Sequence, residues 1–218
     1  PRDVMTILLK NRQKLNLPDD VFRREIAFYL QAGAHSTANS TTHAMHEIFS
    51  WCERHPGARE RLESDIGYLQ RCVHESLRLH PASPVAWRRA TCPSSLQGIG
   101  DIDAGDHIVV DLSRANRDPR VFGDDADTFN PERRLETQTW PFGLTFGYGV
   151  HACLGRDLDG GVVPRDGAAP EKRQLGIVAL LVHELLCQGG RRDPANPPVA
   201  DTRTERTNWS AYPVIFSP

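Results

Sequence analysis

The stretch from residue 19 to about residue 54 constrains the fold more than any other part of the sequence. It contains no proline and a single glycine, Gly33, and it follows a helix-start signal at Pro18. One helix over this stretch would be about 50 Å long at ~1.5 Å per residue, long enough to cross a whole domain. Small side chains at positions 32–34 would let a flat ligand or another backbone approach closely. The polar residues at 35–37 need a partner, water or a ligand.

Apolar periodicity and turn residues predict the other elements. Further helices are predicted over residues 3–15, 57–66, 68–79 and 175–186. Strands are predicted over residues 84–88 and 107–112, with a hairpin turn at 103–105 and a last hairpin around 212–216. Residues 113–152 are expected to be largely irregular. The fold class that follows is mainly α with small β-sheets (α+β).

Composition limits the classes of function. The chain has 218 residues, 39% hydrophobic and 25% charged, which suits one globular domain or a large part of one. A formal net charge of -2 gives no electrostatic reason to bind nucleic acid or an anionic membrane. No apolar run reaches the ~18 residues expected of a transmembrane segment. The five cysteines are odd in number and widely spaced, so they are expected to be reduced thiols in a cytoplasmic protein.

Residues 146–155, FGYGVHACLG, are the segment most informative about function. Their glycines and alanine fit a dinucleotide fingerprint, G-x-G-x-x-A, but that motif needs a preceding strand and a following helix, and the flanking residues favour neither. A second interpretation makes Cys153 a buried thiol, or a nucleophile near His151. Nothing else in the sequence points to catalysis by such a pair.

The third interpretation makes Cys153 a metal ligand. Glycines before the cysteine let the backbone turn tightly around a sulfur and direct N–H groups towards it. A helix starting at the cysteine would add a positive dipole end, which lowers the pKa of a thiol and favours the thiolate. The sequence has no C-x-x-C-H motif, so any haem held in this way would be bound non-covalently.

The same segment resembles the cysteine-ligand signature of the cytochrome P450 family, F-x-x-G-x-[RH]-x-C-x-G. Every fixed position is filled, by Phe146, Gly149, His151, Cys153 and Gly155. Three companion motifs occur in the family's order: E-x-x-R at residues 75–78, the bacterial run ANRDP at 115–119, and F-x-P-E-R at 129–133. The resemblance covers nearly the whole chain. It implies a partial cytochrome P450 fold, from the long distal helix to the C-terminus.

For the site, the resemblance implies a non-covalent haem b with Cys153 as its axial thiolate. Residues that match Glu75, Arg78 and Arg133 pair internally in this family and fix the loop that leads to the cysteine. The basic residues Arg88 and His151 match positions that bind the haem propionates, and Arg89 is an alternative donor. The other implied haem contacts come from the cysteine segment and the long helix: Phe146, Gly147, Gly149, Ala32 and Gly33.

The long helix departs from the family in its polar middle. The usual pattern is [AG]-G-x-[DE]-T, an acid and an alcohol that relay protons to oxygen. Here His35 takes the place of the acid and Ser36 that of the threonine, with Thr37 next, so these three are the candidate catalytic residues. Histidine titrates near neutrality and can pass protons. The alternative is that they are ordinary polar helix residues, with Ser36 bonding to the preceding turn.

The helix after the cysteine departs as well. Family members usually continue from C-x-G into one unbroken helix, whereas Gly160, Gly161 and Pro164 interrupt it here, and residues 165–173 resemble an insertion. This change is expected to reshape the surface where an electron donor docks.

The resemblance implies a haem-thiolate monooxygenase (EC 1.14 type). Such an enzyme inserts one atom of O2 into a small organic substrate, with electrons from a ferredoxin-type partner. A peroxide-using or rearranging enzyme stays open because the acid is missing. A catalytically inactive remnant, or the haem-binding part of a split protein, stays open because the family's fold is roughly twice this length. Residues 1–218 would then be the C-terminal portion of one domain whose N-terminal half is absent.

Overall fold

The computed structural model describes residues 3–136, 138–163 and 174–216, in two compact units, residues 1–38 and 39–218. The insertion predicted at residues 165–173 lies outside the described residues. The first unit holds α1, Val4–Leu15, and the first part of α2, Asp19–Arg54. The carboxylate of Asp3 caps α1 by accepting a hydrogen bond from the backbone N–H of Thr6 at 2.8 Å. Both predicted helices are confirmed, and α2 is continuous over 36 residues.

The second unit holds the rest of α2 and shorter helices. These are α3, Ala58–Ser64; α4, Ile66–Leu79; α5, Leu112–Ala115; α6, Pro119–Phe122; α7, Arg156–Asp159; and α8, Ile177–Cys187. Asp65 caps α4 by accepting from the backbone N–H of Tyr68 at 2.9 Å, and Pro81, which has no N–H, follows its end. Nowhere in the described part of the chain is a helix long and apolar enough to span a membrane.

The strands of the second unit are short. They are β1, Val85–Arg89; β2, Ser94–Leu96; β3, Gly100–Ile102; β4, His107–Asp111; β5, Gly190–Arg192; β6, Val199–Ala200; β7, Trp209–Ala211; and β8, Val214–Phe216. They pair antiparallel in two-stranded sheets: β1 with β4, β2 with β3, β5 with β8 and β6 with β7.

Both predicted hairpins are wrong. A turn does form at residues 103–105, where the N–H of Asp106 donates to the carbonyl oxygen of Asp103 at 3.1 Å. It leads from β3 to β4, however, and each of these strands pairs with an earlier one. Likewise, β7 and β8 pair with β6 and β5 and not with each other. Turn residues are local signals, whereas the partner of a short strand is set by the packing around it.

Helix α4 lies at the centre of the core of the second unit. Eleven of its fourteen residues are buried, and it contacts α3 and α8. Apolar residues from α2, from α8, from the cysteine segment and from the chain just before it complete the cluster, among them Ile48, Phe49, Val178, Val182, Phe142 and Phe146. Full burial of one such side chain stabilises the fold by ~1.5–3 kcal/mol. Because α4 is buried on most sides, its polar residues Gln70, His74, Glu75 and Arg78 need partners inside the protein.

Candidate functional site

The cysteine loop, residues 146–155, is a tight turn closed by a backbone hydrogen bond. The N–H of Cys153 donates to the carbonyl oxygen of Phe146 at 2.7 Å. Gly147 and Gly149 have φ values of 69° and 66°, in the left-handed region that other residues rarely adopt. A Cβ at Gly147 would also stand 3.1 Å from the carbonyl oxygen of His151. The turn itself therefore requires these glycines.

The thiol of Cys153 is exposed in this loop. A Cβ at Gly155 would lie 3.7 Å from the sulfur, so this glycine keeps the backbone close to it. Helix α7 begins at Arg156, not at the cysteine, and spans four residues before the predicted interruption at Gly160. The expectation of a helix starting at the cysteine is therefore wrong.

The structure brings Glu75, Arg78 and Arg133 together in a buried ion-pair network. Arg78 donates from Nε and Nη2 to the two carboxylate oxygens of Glu75, at 2.8 and 2.7 Å. Arg133 donates from Nε and Nη2 to Oε1 of Glu75, at 3.2 and 3.1 Å. The side chain of Arg78 is 0% exposed and those of Glu75 and Arg133 are 5% exposed, so removing one partner would leave a buried charge uncompensated.

The charges of the network balance. Asp125 forms an ion pair with Arg133, so two carboxylates face two guanidinium groups. Hydrogen bonds from Asn130 and Arg133 lower the pKa of Asp125, which favours its ionised form.

The same guanidinium groups hold the chain between residues 116 and 130 against α4. Arg78 donates from Nη1 to the carbonyl oxygens of Asn116 and Ala126, at 2.6 and 2.7 Å. Arg133 donates from Nη2 to the carbonyl oxygen of Thr128 at 3.1 Å. The long irregular region predicted from the sequence is thus ordered by buried side chains, which supply partners for backbone groups outside regular structure.

Asn116 links this network to the cysteine loop. Its side chain is fully buried, and Nδ2 donates to the carbonyl oxygen of Arg78 and to Oγ1 of Thr145, both at 3.0 Å. Oδ1 accepts from the backbone N–H of Leu144 at 2.7 Å. A Cβ at Gly143 would stand 2.3 Å from Oδ1, so glycine is needed there. Asn116 thus holds the residues just before Phe146, a role that the sequence signals only through its place in the ANRDP run.

The two predicted propionate ligands, Arg88 and His151, are both exposed. Arg88 lies on β1, where its Nη1 donates to the carbonyl oxygen of Trp87 at 2.8 Å. Arg89, the alternative donor, donates from Nε to the carbonyl oxygen of Gly105 at 3.2 Å. His151 ends a 3-10 turn two residues before Cys153. Contact of these side chains with a haem stays a prediction.

The candidate catalytic residues lie in the first unit, on the continuous helix α2. Ala32, His35 and Ser36 share one face, since positions three and four apart are neighbours on a helix. The Ser36 hydroxyl donates to the carbonyl oxygen of Ala32 at 2.8 Å, the bond to the preceding turn that the alternative interpretation expects. Beyond its own helix, no heavy atom of the described residues lies within 4 Å of the place of a Cβ at Gly33. Contact of this face, and of Thr37, with a haem stays a prediction.

The cysteine loop fits a haem. A haem iron takes four nitrogens from the porphyrin and a soft axial ligand from the protein, which the exposed thiol of Cys153 can provide. Tyr148 and Val150 in the same loop are 77% and 96% exposed, which leaves apolar surface next to the cysteine for a flat ring. In the described residues, no group of three or more His, Cys, Asp or Glu side chains is arranged to hold a metal ion.

The sequence model of the family described as Cytochrome P450 matches residues 1–158. A putative cytochrome P450 of Caenorhabditis elegans, cyp-13B1, is 34% identical over 152 residues, which cover 60% of this chain and 28% of the relative. The bifunctional cytochrome P450/NADPH–P450 reductase ascE of Acremonium egyptiacum is 36% identical over 127 residues, which cover 52% of this chain and 12% of the relative. The chain therefore spans less than a third of either relative.

The solved structure of CYP154A1 from Streptomyces coelicolor A3(2) superposes on this chain with a TM-score of 0.73. The match covers 100% of this chain and 49% of that chain, at 23% identity. At this identity the likeness establishes the fold, and the predicted partial fold is confirmed.

Proposed function

The chain belongs to the cytochrome P450 family, and we propose that residues 1–218 are the C-terminal, haem-binding portion of a single cytochrome P450 domain. The chain covers 49% of a solved structure that matches it from end to end. In the first unit, α1 has no buried residue, and Val4, Ile7 and Leu15 are 44%, 54% and 46% exposed. Apolar surface of this kind fits contact with the other half of such a domain, in the same protein or in a separate chain.

The proposed cofactor is a non-covalent haem b, with the thiolate of Cys153 as its axial ligand. The observation that carries this proposal is an exposed thiol on a loop tied to the buried Glu75 network through Asn116. Arg88 and His151 are proposed to bind the haem carboxylates. The remaining proposed contacts are Phe146, Gly147, Gly149, Ala32 and Gly33. When bound, the haem supplies the chemistry that activates oxygen, and the chain supplies the ligand, a proton path and part of the pocket.

The proposed reaction inserts one atom of O2 into a small organic substrate. The second oxygen atom leaves as water, which consumes two electrons and two protons. A ferredoxin-type partner is the proposed electron donor. A reductase is the alternative donor, because a relative of this chain is named as a fusion with one. The five free cysteines fit a reducing compartment, so the cytoplasm is the proposed location.

His35 and Ser36 are proposed to carry those protons. The hydroxyl of Ser36 donates to the carbonyl oxygen of Ala32, so its oxygen lone pairs remain able to accept a hydrogen bond from a proton donor. His35 is exposed on the same helix face, and an imidazole ring can both donate and accept a hydrogen bond. Thr37 is proposed as a further hydroxyl next to them.

Replacing His35 with alanine is expected to lower the yield of product per electron pair. General acid–base groups contribute ~100-fold or more to proton transfer, so we expect at least a tenfold loss of coupling. The measurement compares product formed with NADPH oxidised, for a substrate found by its shift of the Soret band. His107→Ala is the matched control, because His107 is an exposed histidine on β4. Equal coupling in the His35 variant and the wild type would refute the relay.

Two other functions have observations in their favour. His35 in place of the usual acid favours a peroxide-using or rearranging haem-thiolate enzyme, which would turn over with peroxide, or with no oxidant, in the absence of ferredoxin. The exposed apolar residues of α1 favour a catalytically inactive remnant or one part of a split protein.

Haem uptake tests the proposed function directly. The 218-residue chain is titrated with haemin, reduced with dithionite and exposed to carbon monoxide. We expect binding and a strongly red-shifted Soret band, because a thiolate donates more electron density to the iron than an imidazole does. A haem complex without that shift would contradict thiolate ligation, and no uptake would favour the inactive remnant. A comparison of turnover with NADPH and ferredoxin and turnover with peroxide then distinguishes the monooxygenase from the peroxide-using enzyme.

A further inference from the structure

The backbone beyond α7 is held together by tertiary contacts where a helix does not continue. α7 ends at Asp159 and α8 begins at Ile177. The described residues between them come back together: Gly161 and Leu175 form an antiparallel bridge, and the N–H of Val162 donates to the carbonyl oxygen of Gln174 at 2.9 Å. The backbones are very close, since a Cβ at Gly176 would stand 2.3 Å from the carbonyl oxygen of Asp159.

Two buried side chains of α4 form hydrogen bonds with this junction, which consists of residues 160–162 and 174–176. Gln70 is 3% exposed; its Nε2 donates to the carbonyl oxygen of Val162 at 3.3 Å and its Oε1 accepts from the N–H of Gly176 at 3.2 Å. His74, one helical turn later, is 2% exposed, and its Nε2 donates to the carbonyl oxygen of Gly160 at 2.7 Å. Backbone groups that a longer helix would have paired are thus satisfied by α4.

His74 also touches the other end of the cysteine loop. Its ring packs edge-to-face on Phe142 at 5.5 Å between centroids, and Phe142 packs in the same way on Phe146 at 5.0 Å. Gly160, which accepts the hydrogen bond of His74, packs against Phe146: a Cβ at Gly160 would stand 3.1 Å from the Phe146 ring. Phe146 in turn accepts the hydrogen bond of the Cys153 N–H. His74 therefore contacts the chain both before and after the cysteine.

We infer that His74 is a positioning residue that fixes the Cys153 loop from both ends, in the place of a continuous helix. The inference rests on the proposed role of Cys153 as iron ligand. Glu75 and Arg78 reach the loop through Asn116, whereas His74 reaches it through Gly160 and Phe142. The ring is neutral at neutral pH, since burial lowers the pKa of His74 to about 4. A neutral ring facing a carbonyl oxygen carries its proton on Nε2.

Two substitutions separate the hydrogen bond from the packing. His74→Phe keeps a ring against Phe142 and removes the donor to the Gly160 carbonyl oxygen. His74→Gln keeps an N–H donor at about the same distance from the backbone and removes the ring. Amide hydrogen exchange of the 218-residue chain is measured over residues 153–162, with α8 as the internal reference, together with the Soret band of the reduced carbon monoxide complex.

In His74→Phe we expect exchange over residues 153–162 to accelerate by about tenfold, because a buried carbonyl oxygen loses its donor. Exchange in α8 should not change. The share of haem with a red-shifted Soret band should fall. His74→Gln keeps the donor, so it should restore wild-type exchange over residues 153–162, while its share of red-shifted haem should lie between those of His74→Phe and the wild type because the ring contact with Phe142 is lost. Wild-type exchange in His74→Phe, or equal acceleration in α8, would overturn the inference, since the second result is what loss of general stability produces.

The exchange measurement also keeps this inference apart from the proposed function. If the wild-type chain binds no haem, the proposed function fails, while exchange over residues 153–162 still decides whether His74 fixes the loop. If His74→Phe does not fold, His74→Leu replaces it, because leucine also removes the donor to the Gly160 carbonyl oxygen and is smaller than phenylalanine. The same acceleration confined to residues 153–162 is then expected, and its absence would overturn the inference.

Discussion

Cys153→Ala is expected to abolish the red-shifted Soret band of the reduced carbon monoxide complex and to weaken haem binding by on the order of 100-fold or more. Loss of a group that merely orients a metal ligand already weakens binding by ~10–100-fold, so loss of the ligand itself should have a larger effect. The Cys153 thiol is exposed, so its removal should leave the folded chain intact. The loss therefore reports on ligation and not on unfolding, which circular dichroism and the melting temperature can verify.

Cys92→Ala provides the matched control, because Cys92 is also an exposed free cysteine. It should bind haem and shift the Soret band as the wild type does. Alkylation by iodoacetamide supplies a second readout: bound haem should protect Cys153, while Cys92 reacts with or without haem. A red-shifted band in Cys153→Ala, or its loss in Cys92→Ala, would show that another thiol binds the iron.

The helices that frame the site follow from local signals. α2 could be predicted to its last turn because breakers flank a stretch that contains a single glycine. α4 could be predicted because its apolar positions recur with the helical period. Its Glu75 and Arg78 are three residues apart, so their contact is set by the helix itself. Arg133 lies 58 residues from Glu75, and only the resemblance to the family indicates that they pair.

Contacts between distant segments could not be predicted from the sequence. The partner of β4 is β1, and nothing in five residues of either strand excludes the nearer β3. Asn116, Gln70 and His74 are polar residues that a sequence places as easily at the surface as in the core. Their roles depend on backbone groups that become partnerless only where α7 stops and where the chain before Phe146 is irregular. The side chains that sequence reasoning misses are therefore those that hold the cysteine loop on its buried side.

Glu75→Ala is expected to give a chain that neither folds stably nor binds haem. The substitution leaves the buried guanidinium of Arg78 without its carboxylate and removes one of the two negative charges that balance Arg78 and Arg133. Breaking a buried pair in this way destabilises by ~3–5 kcal/mol, a large part of the ~5–15 kcal/mol that stabilises a typical domain. Unfolding by urea and haem content after purification measure the effect.

Glu132→Ala separates burial from charge. Glu132 pairs with Arg61 at 2.6 Å, but its side chain is 57% exposed, so the loss of stability should be small and haem content should be normal. The stability and haem content of Glu75→Gln should lie between those of Glu75→Ala and Glu132→Ala. Its amide oxygen still accepts a hydrogen bond from one arginine, while its NH2 group faces the other donors. Normal haem content in Glu75→Ala would contradict the anchoring role of the network. Equal losses in Glu75→Ala and Glu132→Ala would show that net charge, and not the buried geometry, supports the cysteine loop.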